Sequence, residues 1–159
     1  MKRISFVPLI VSLGIAYSAG FIGSLFTAPA IDTWYDSLLT SRVNPPDWVF
    51  GPVWTLLYTL IGVAAYLVYV SAAQRKAKIR AYSIYAAQLV LNASWSIVFF
   101  GLQSPGYAFL IILLLLGTII LNGIVFYRLV RVSGLLFIPY VMWVLFASYL
   151  NLAIFILNR

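Results

Sequence analysis

Long apolar runs separated by short polar intervals dominate the chain. Five stretches, roughly residues 4–26, 48–72, 81–102, 106–127 and 133–157, are each long and apolar enough to cross a bilayer. A spanning helix needs about 20 residues at about 1.5 Å rise. The intervals carry loop chemistry. Residues 27–47 hold all three acids and the Pro45-Pro46 pair, and residues 74–80 are basic. Gln103-Ser104-Pro105-Gly106 reads as a turn, and residues 128–134 as a short basic link. The period-two alternation of a membrane β-barrel is absent. The pattern predicts an all-α integral membrane protein, a bundle of five transmembrane helices. Residues 1–159 form a single domain without internal repeats.

Composition supports lipid as the solvent. Hydrophobic residues make up 64% of the chain and charged residues 8%, whereas ordinary globular chains are about a quarter charged. A soluble domain this short has too much surface for its volume to hide so many apolar groups. Cysteine, histidine and glutamate are absent, and the acids are Asp32, Asp36 and Asp47. That excludes disulfides, Cys or His metal sites, c-type haem attachment, and His- or Cys-based nucleophilic catalysis. No metal site and no required cofactor are expected.

The net charge of +7 is distributed by topology. With five spans, Lys2, Arg3, Arg75, Lys76, Lys78, Arg80, Arg128 and Arg131 fall on one side, and Arg42, Arg159 and the aspartates on the other. The positive-inside rule then places the N-terminus in the cytoplasm and the long first loop and C-terminus outside. Cations confined to loop ends argue against a nucleic-acid partner. Lys2-Arg3 before an apolar run, with Ala28-Pro29-Ala30 after it, resembles a signal peptide. The apolar stretch exceeds the usual h-region of about 7–15 residues and Pro29 is poor for cleavage, which favours a retained helix. Gly14, Ser18, Ala19 and Gly23 give that helix small-residue spacing for close packing, as do Gly117 and Gly123 in the fourth, so a homodimer is expected.

No span carries an acid, lysine or arginine in its middle. Ion-coupled pumping, proton relays and retinal attachment all need such a group. What remains at depth is aromatic and amide chemistry. Phe50, Trp54 and Tyr58 share one helical face. Gln88, Asn92, Trp95 or Ser96, and Phe99 make a second stripe; Tyr140, Trp143, Ala147 and Asn151 make a third. Counting helix rise puts Asn92 and Trp143 near the midplane and Trp54 nearer the outer surface. Interfacial belts and helix contacts account for many membrane aromatics, such as Tyr17, Tyr69 and Tyr127. Asn92 suits an interhelical hydrogen bond as well as a ligand contact. Aromatic walls with a few amides or indole N–H groups describe a site for a flat hydrophobic ligand: a porphyrin, a sterol or a polycyclic drug. The first loop, at about 20 residues, is longer than most connections and could act as a lid. Trp34-Tyr35, Pro45-Pro46 and Trp48 would anchor it at the interface. Asp47 is an expected N-cap of the second helix, and Pro52 falls in its first turn.

These residues resemble the TspO/MBR family, which includes tryptophan-rich sensory proteins and the translocator protein, formerly the peripheral benzodiazepine receptor. The similar blocks are Trp34-Tyr35, N-P-P-D-W-V-F-G-P-V-W-T-L-L-Y from Asn44 to Tyr58, L-N-A-S-W-S-I-V-F-F-G-L from Leu91 to Leu102, and I-P-Y-V-M-W-V-L-F-A-S-Y-L-N from Ile138 to Asn151. The first helix carries no distinguishing motif. The resemblance implies a ligand pocket beneath the first loop, commonly in a homodimer. That pocket takes porphyrins and benzodiazepine-site ligands in related proteins, with sterols reported for animal members. Mapped by motif, its residues here are Trp34, Tyr35, Trp54, Tyr58, Asn92, Trp95, Trp143 and Ala147. Two departures stand out. Val43 occupies the position where the family usually has a tryptophan, two residues before the double proline. Tyr149 lies too far from Arg159 to complete the animal sterol pattern, and the looser matches at Val125-Tyr127-Arg131 and Leu67-Tyr69-Arg75 arise easily by chance.

Three functions follow as expectations. The first is a receptor, sensor or transporter for porphyrin or haem in a bacterial-type plasma membrane. The second is an enzyme degrading protoporphyrin in light through Trp54 and Trp143. The third is a structural membrane protein whose tryptophans only pack.

Overall fold

The computed structural model describes residues 6–159, so Lys2, Arg3 and the expected helix start at residue 4 lie outside the described residues. Its principal helices are α1 (Phe6–Ile31), α2 (Phe50–Val70), α3 (Arg75–Ser96), α4 (Pro105–Leu129), α5 (Arg131–Leu135) and α6 (Ile138–Leu157). There is no strand among the described residues. Five spans result: α1, Asp47–Val70, Arg75–Gly101, α4, and Arg131–Leu157, each apolar enough to cross a membrane.

Several boundaries differ from those the sequence predicts. Helix α1 runs on through Pro29 to Ile31, because one proline near a helix end removes a single N–H. The first loop therefore starts at Asp32, not Thr27. The basic stretch Arg75–Arg80 forms the first turns of α3, leaving only residues 71–74 as a link. Lysine, arginine and alanine are strong helix formers. Lys78 Nζ also donates to the carbonyls of Tyr69 and Ser71, both at 2.7 Å, at the C-terminal end of α2. Asp47 does not cap α2: it opens a 3₁₀ turn, Asp47–Val49, and neither turn nor helix has a side-chain cap. The fifth span is two pieces. Pro139 lies in the first turn of α6, where its missing N–H costs little, and the chain restarts there after α5.

Helix α1 packs against α2 and α3, α3 against α4, α4 against α6, and α5 against α2. The spans thus follow the order first, second, fifth, fourth, third around the bundle. Alanines make the close approaches: Ala16 and Ala19 on α1, Ala64 and Ala65 on α2, and Ala81 on α3 are all buried. A Cβ on Gly62 would lie 3.1 Å from the Leu13 backbone, so a larger residue would push α1 and α2 apart. Gly23 and Gly123 are likewise used inside the bundle, against Ser96 and Phe137, whereas Gly14 and Gly117 have open space beside them.

Polarity is distributed for lipid rather than water. Ile10, Val90, Leu114 and Met142 are more than half exposed, while Gln88, Asn92, Asn122, Ser133, Ser148 and Asn151 are buried. With no water in the bilayer core, buried amides and hydroxyls seek partners on neighbouring helices or on their own. Such bonds average about 0.6 kcal/mol each, so they select a geometry more than they supply stability.

Candidate functional site: an aromatic cavity under the first loop

A cavity of about 440 Å³ lies between α1, α2, the end of α3 and α6, with the first loop over it. Its walls follow from helical periodicity. Phe50, Trp54 and Tyr58 recur at one-turn spacing on α2 and all line it. On α6 the lining includes Ala147, Leu150, Asn151 and Ile154. The third wall departs from α geometry. Residues Ile97–Gly101 form a π turn, with the Leu102 N–H bonded to the Ile97 carbonyl at 2.9 Å. Phe99 and Phe100 within it, and Trp95 and Ser96 just before it, all line the cavity.

The rings form two packed groups, one on α2 and one at the end of α3. Trp54 stacks on Tyr58 at 5.5 Å and 25°, and Trp95 on Phe99 at 5.3 Å and 30°. Trp54 meets Tyr140 edge-on at 6.1 Å. These contacts are worth about 0.5–1.5 kcal/mol each beyond area burial.

Most of the polar groups are hydrogen-bonded, and the buried Gln88 Nε2 has no partner among the described residues. Tyr58 donates to Asn92 Oδ1 at 2.6 Å, Asn92 Nδ2 donates to the Tyr140 hydroxyl at 3.0 Å, and Tyr140 donates to Gln88 Oε1 at 3.1 Å. Trp95 Nε1 donates to Asn151 Oδ1 at 2.9 Å, and Asn151 Nδ2 to the Pro105 carbonyl at 2.8 Å. Asn92 is thus an interhelical tie and a lining residue at once. A ligand would meet mostly π faces and aliphatic carbon.

The loop is fastened. Leu39 N–H donates to Asn158 Oδ1, and Asn158 Nδ2 donates to the Leu39 carbonyl, both at 2.9 Å. The hydroxyls of Ser41 and Tyr149 pair at 3.2 Å. Tyr35 packs on Phe100 at 5.7 Å. Burial, reinforced by the charge of Asp47 and partly offset by a hydrogen bond with Asn44, holds the Tyr35 phenol above its usual pKa. It is a neutral group at physiological pH.

Of the residues mapped by motif, Tyr35, Trp54, Tyr58, Asn92, Trp95 and Ala147 line the cavity. Trp34 and Trp143 are not among its lining residues. Trp34 stands behind the wall, edge-on to Phe99 at 5.6 Å. Trp143 packs on Phe50 at 5.7 Å, and its buried Nε1 makes no hydrogen bond among the described residues. It sits one turn from Ala147 on the same face of α6, with the Phe50 ring against it. Trp48, expected at the interface, is 75% exposed yet also lines the mouth.

The wall that sequence reasoning missed is α1. Gly20, Gly23, Ser24, Thr27, Ala28 and Ile31 line the cavity. They lie at i, i+3, i+4, i+7, i+8 and i+11, a helical stripe of mostly small residues legible in the sequence. A stripe lacking aromatics reads as packing, which is why it escaped notice.

A polytopic five-helix protein with an aromatic, ligand-sized cavity beneath its first loop is the class these features define. The sequence profile of the TspO/MBR family matches residues 11–157, and the chain belongs to that family. It is 41% identical over 152 residues to the tryptophan-rich protein TspO of Archaeoglobus fulgidus, covering 96% of this chain and 97% of that one. The tryptophan-rich sensory protein of Cereibacter sphaeroides is 37% identical over 127 residues, covering 80% and 78%. The human translocator protein is 34% identical over 133 residues, covering 82% and 78%.

Proposed function

We propose that the cavity binds a flat hydrophobic macrocycle of the porphyrin class, and that the protein is a membrane receptor, sensor or carrier for it. The observation that carries this reading is a cavity of about 440 Å³ walled by stacked rings, with the amides of Asn92 and Asn151 hydrogen-bonded to wall residues. Ligand sites of about 300–1,000 Å³ with apolar walls and few polar groups suit such molecules. The lining offers no imidazole or thiolate to iron, so haem and metal-free porphyrin would both be held by their faces.

Titration of the purified protein with protoporphyrin tests this. One equivalent should saturate the change in porphyrin absorption and quench indole fluorescence, through Trp54 and Trp95 at the walls. Absence of saturable binding rejects the proposal. Illumination of the complex separates carrier from enzyme: a new product forming in wild type and not in Trp54→Phe supports light-driven degradation. Trp54 lines the cavity, whereas Trp143 is not among its lining residues and packs on Phe50.

The charge bias supports a cytoplasmic N-terminus and an outward first loop. A reporter fused after Arg159 should be active on the non-cytoplasmic face; cytoplasmic activity rejects that orientation. A homodimer would draw on the open small-residue faces at Gly14 or Gly117. Crosslinking in lipid that yields only monomer rejects it.

A further inference from the structure

The aromatic cavity carries one full charge, and that charge stands at its mouth. Asp47 is the only acid among the lining residues, and no lysine or arginine lines the cavity. Asp47 is exposed, as is Trp48 beside it. Its carboxylate makes no hydrogen bond or ion pair among the described residues. Its charge is nevertheless felt at the mouth, where burial first, and Asp47 in addition, keep the Tyr35 phenol neutral. Further in, the amides of Asn92 and Asn151 are engaged with Tyr58 and Trp95. The cavity therefore has an uncharged interior and an acidic rim.

A carboxylate on a bound ligand has no favourable place inside. Burying an anion against rings and aliphatic carbon, with no cation to meet it, is prohibitive. Such a group must stay at the mouth, where it faces Asp47, and an exposed carboxylate is charged at neutral pH. Two positive features compete with that charge. The N-terminal end of α2 supplies only about half a positive charge, less than the full negative charge of Asp47. Arg42, the cation of the first loop, is not among the lining residues. Repulsion therefore wins for an anionic edge. A cationic edge in the same place meets the Asp47 carboxylate and the aromatic side chains of Tyr35 and Trp48, and both attract it.

We propose that Asp47 sets the charge selectivity of the aromatic cavity, favouring flat ligands with a neutral or cationic edge over those whose edge carries carboxylates. The inference rests on the reading that the cavity holds a porphyrin-class macrocycle, and it adds the charge that the edge of that macrocycle should carry. A dicarboxylate porphyrin enters, held by its faces, but against the charge at the rim.

Three porphyrins that share one ring test it: protoporphyrin, its neutral dimethyl ester, and a diamide bearing quaternary ammonium groups. Each is titrated into the full-length protein in phosphatidylcholine nanodiscs, with empty nanodiscs subtracted, and the affinity of each variant is compared with wild type. Asp47→Asn keeps the size of an exposed side chain that caps nothing, so the fold should persist. It should tighten the dicarboxylate about twofold to fivefold, weaken the cationic diamide by a similar factor, and leave the diester unchanged, as expected for one exposed charge pair. Asp47→Lys should move both charged ligands further in the same directions. The shifts should be largest at about 0.05 M salt and vanish near about 1 M. Asp36→Asn, on the same loop but off the lining, should shift them less. If the dicarboxylate fails to tighten in Asp47→Asn, if the diester moves as much as the charged ligands, or if Asp36→Asn has an equal effect, the charge selectivity is overturned while the macrocycle site stands. If none of the three porphyrins binds saturably to wild type, both fall.

Discussion

The two ends of the bundle are held together by different chemistry. Toward the basic end, side chains bond to the backbone of neighbouring helices. Ser133 donates to the Ala64 carbonyl at 2.7 Å, Tyr82 to Ala65, and Lys78 to Tyr69 and Ser71. Gly134 is pressed so closely on Tyr127 that a Cβ would stand 2.6 Å from its backbone nitrogen. Toward the loop end, rings and side-chain pairs rather than backbones span the gap between α2 and α6, and the backbone ties there, Asn151 to Pro105 and Asn158 to Leu39, lie outside that gap. Backbone ties draw helices together; ring-to-ring contacts hold them apart. The bundle is clasped at one end and propped open at the other, and the cavity is what the props leave.

The contrast can be broken most forcefully at the clasp. Gly134→Ala drives a methyl into the Tyr127 backbone and should cost about 3 kcal/mol of stability, at the upper end of usual overpacking effects. Thermal unfolding in detergent measures it; a variant as stable as wild type would mean that α4 and α5 are not locked as described. At the propped end Trp54→Ala gives up its ring contacts with Tyr58 and Tyr140 and should cost about 1–3 kcal/mol of stability. Porphyrin affinity should fall as well, by about 1–3 kcal/mol, the range for losing a stacking anchor. Equal affinity in a folded Trp54→Ala protein removes the cavity from consideration as the porphyrin site.

Tyr140→Phe probes the seam between the ends. It leaves Asn92 Nδ2 without its acceptor and Gln88 Oε1 without its donor, and should lower stability by about 1–2 kcal/mol. A smaller effect would show that these amides re-pair with each other. The gentlest test is Asn158→Ala, which removes both bonds to Leu39. Porphyrin release should quicken about twofold to tenfold, as expected for one exposed-to-half-buried pair, while unfolding stays near wild type. Unchanged release kinetics would show that the loop does not gate the cavity.

Much of the architecture was legible because lipid imposes a simple rule. Every spanning segment must be long and apolar, so the five spans appeared within several residues of their true bounds, except where helix formers such as Arg75–Arg80 extended α3 beyond the apolar run. Periodicity also found part of the cavity wall. Phe50, Trp54, Tyr58, Asn92, Ala147 and Asn151 all line it. The open choice between Trp95 and Ser96 resolves to both, because the wall is wide enough to take adjacent residues of one helix, as it also does at Gly23 and Ser24 and at Leu150 and Asn151.

Composition and periodicity alone determined the solvent, the number of crossings, the absence of buried charge and the aromatic character of one interior face. Those properties depend only on which residues occur and at what spacing. Tertiary structure decided the rest. It turned the small-residue stripe of α1 into a cavity wall, set Trp143 against Phe50, and moved Trp48 to the mouth. It also left Tyr85 unpaired while its neighbour Tyr82 found a carbonyl. Each of these depends on which helix stands opposite and how far away, and spacing along a single chain carries no information about that distance.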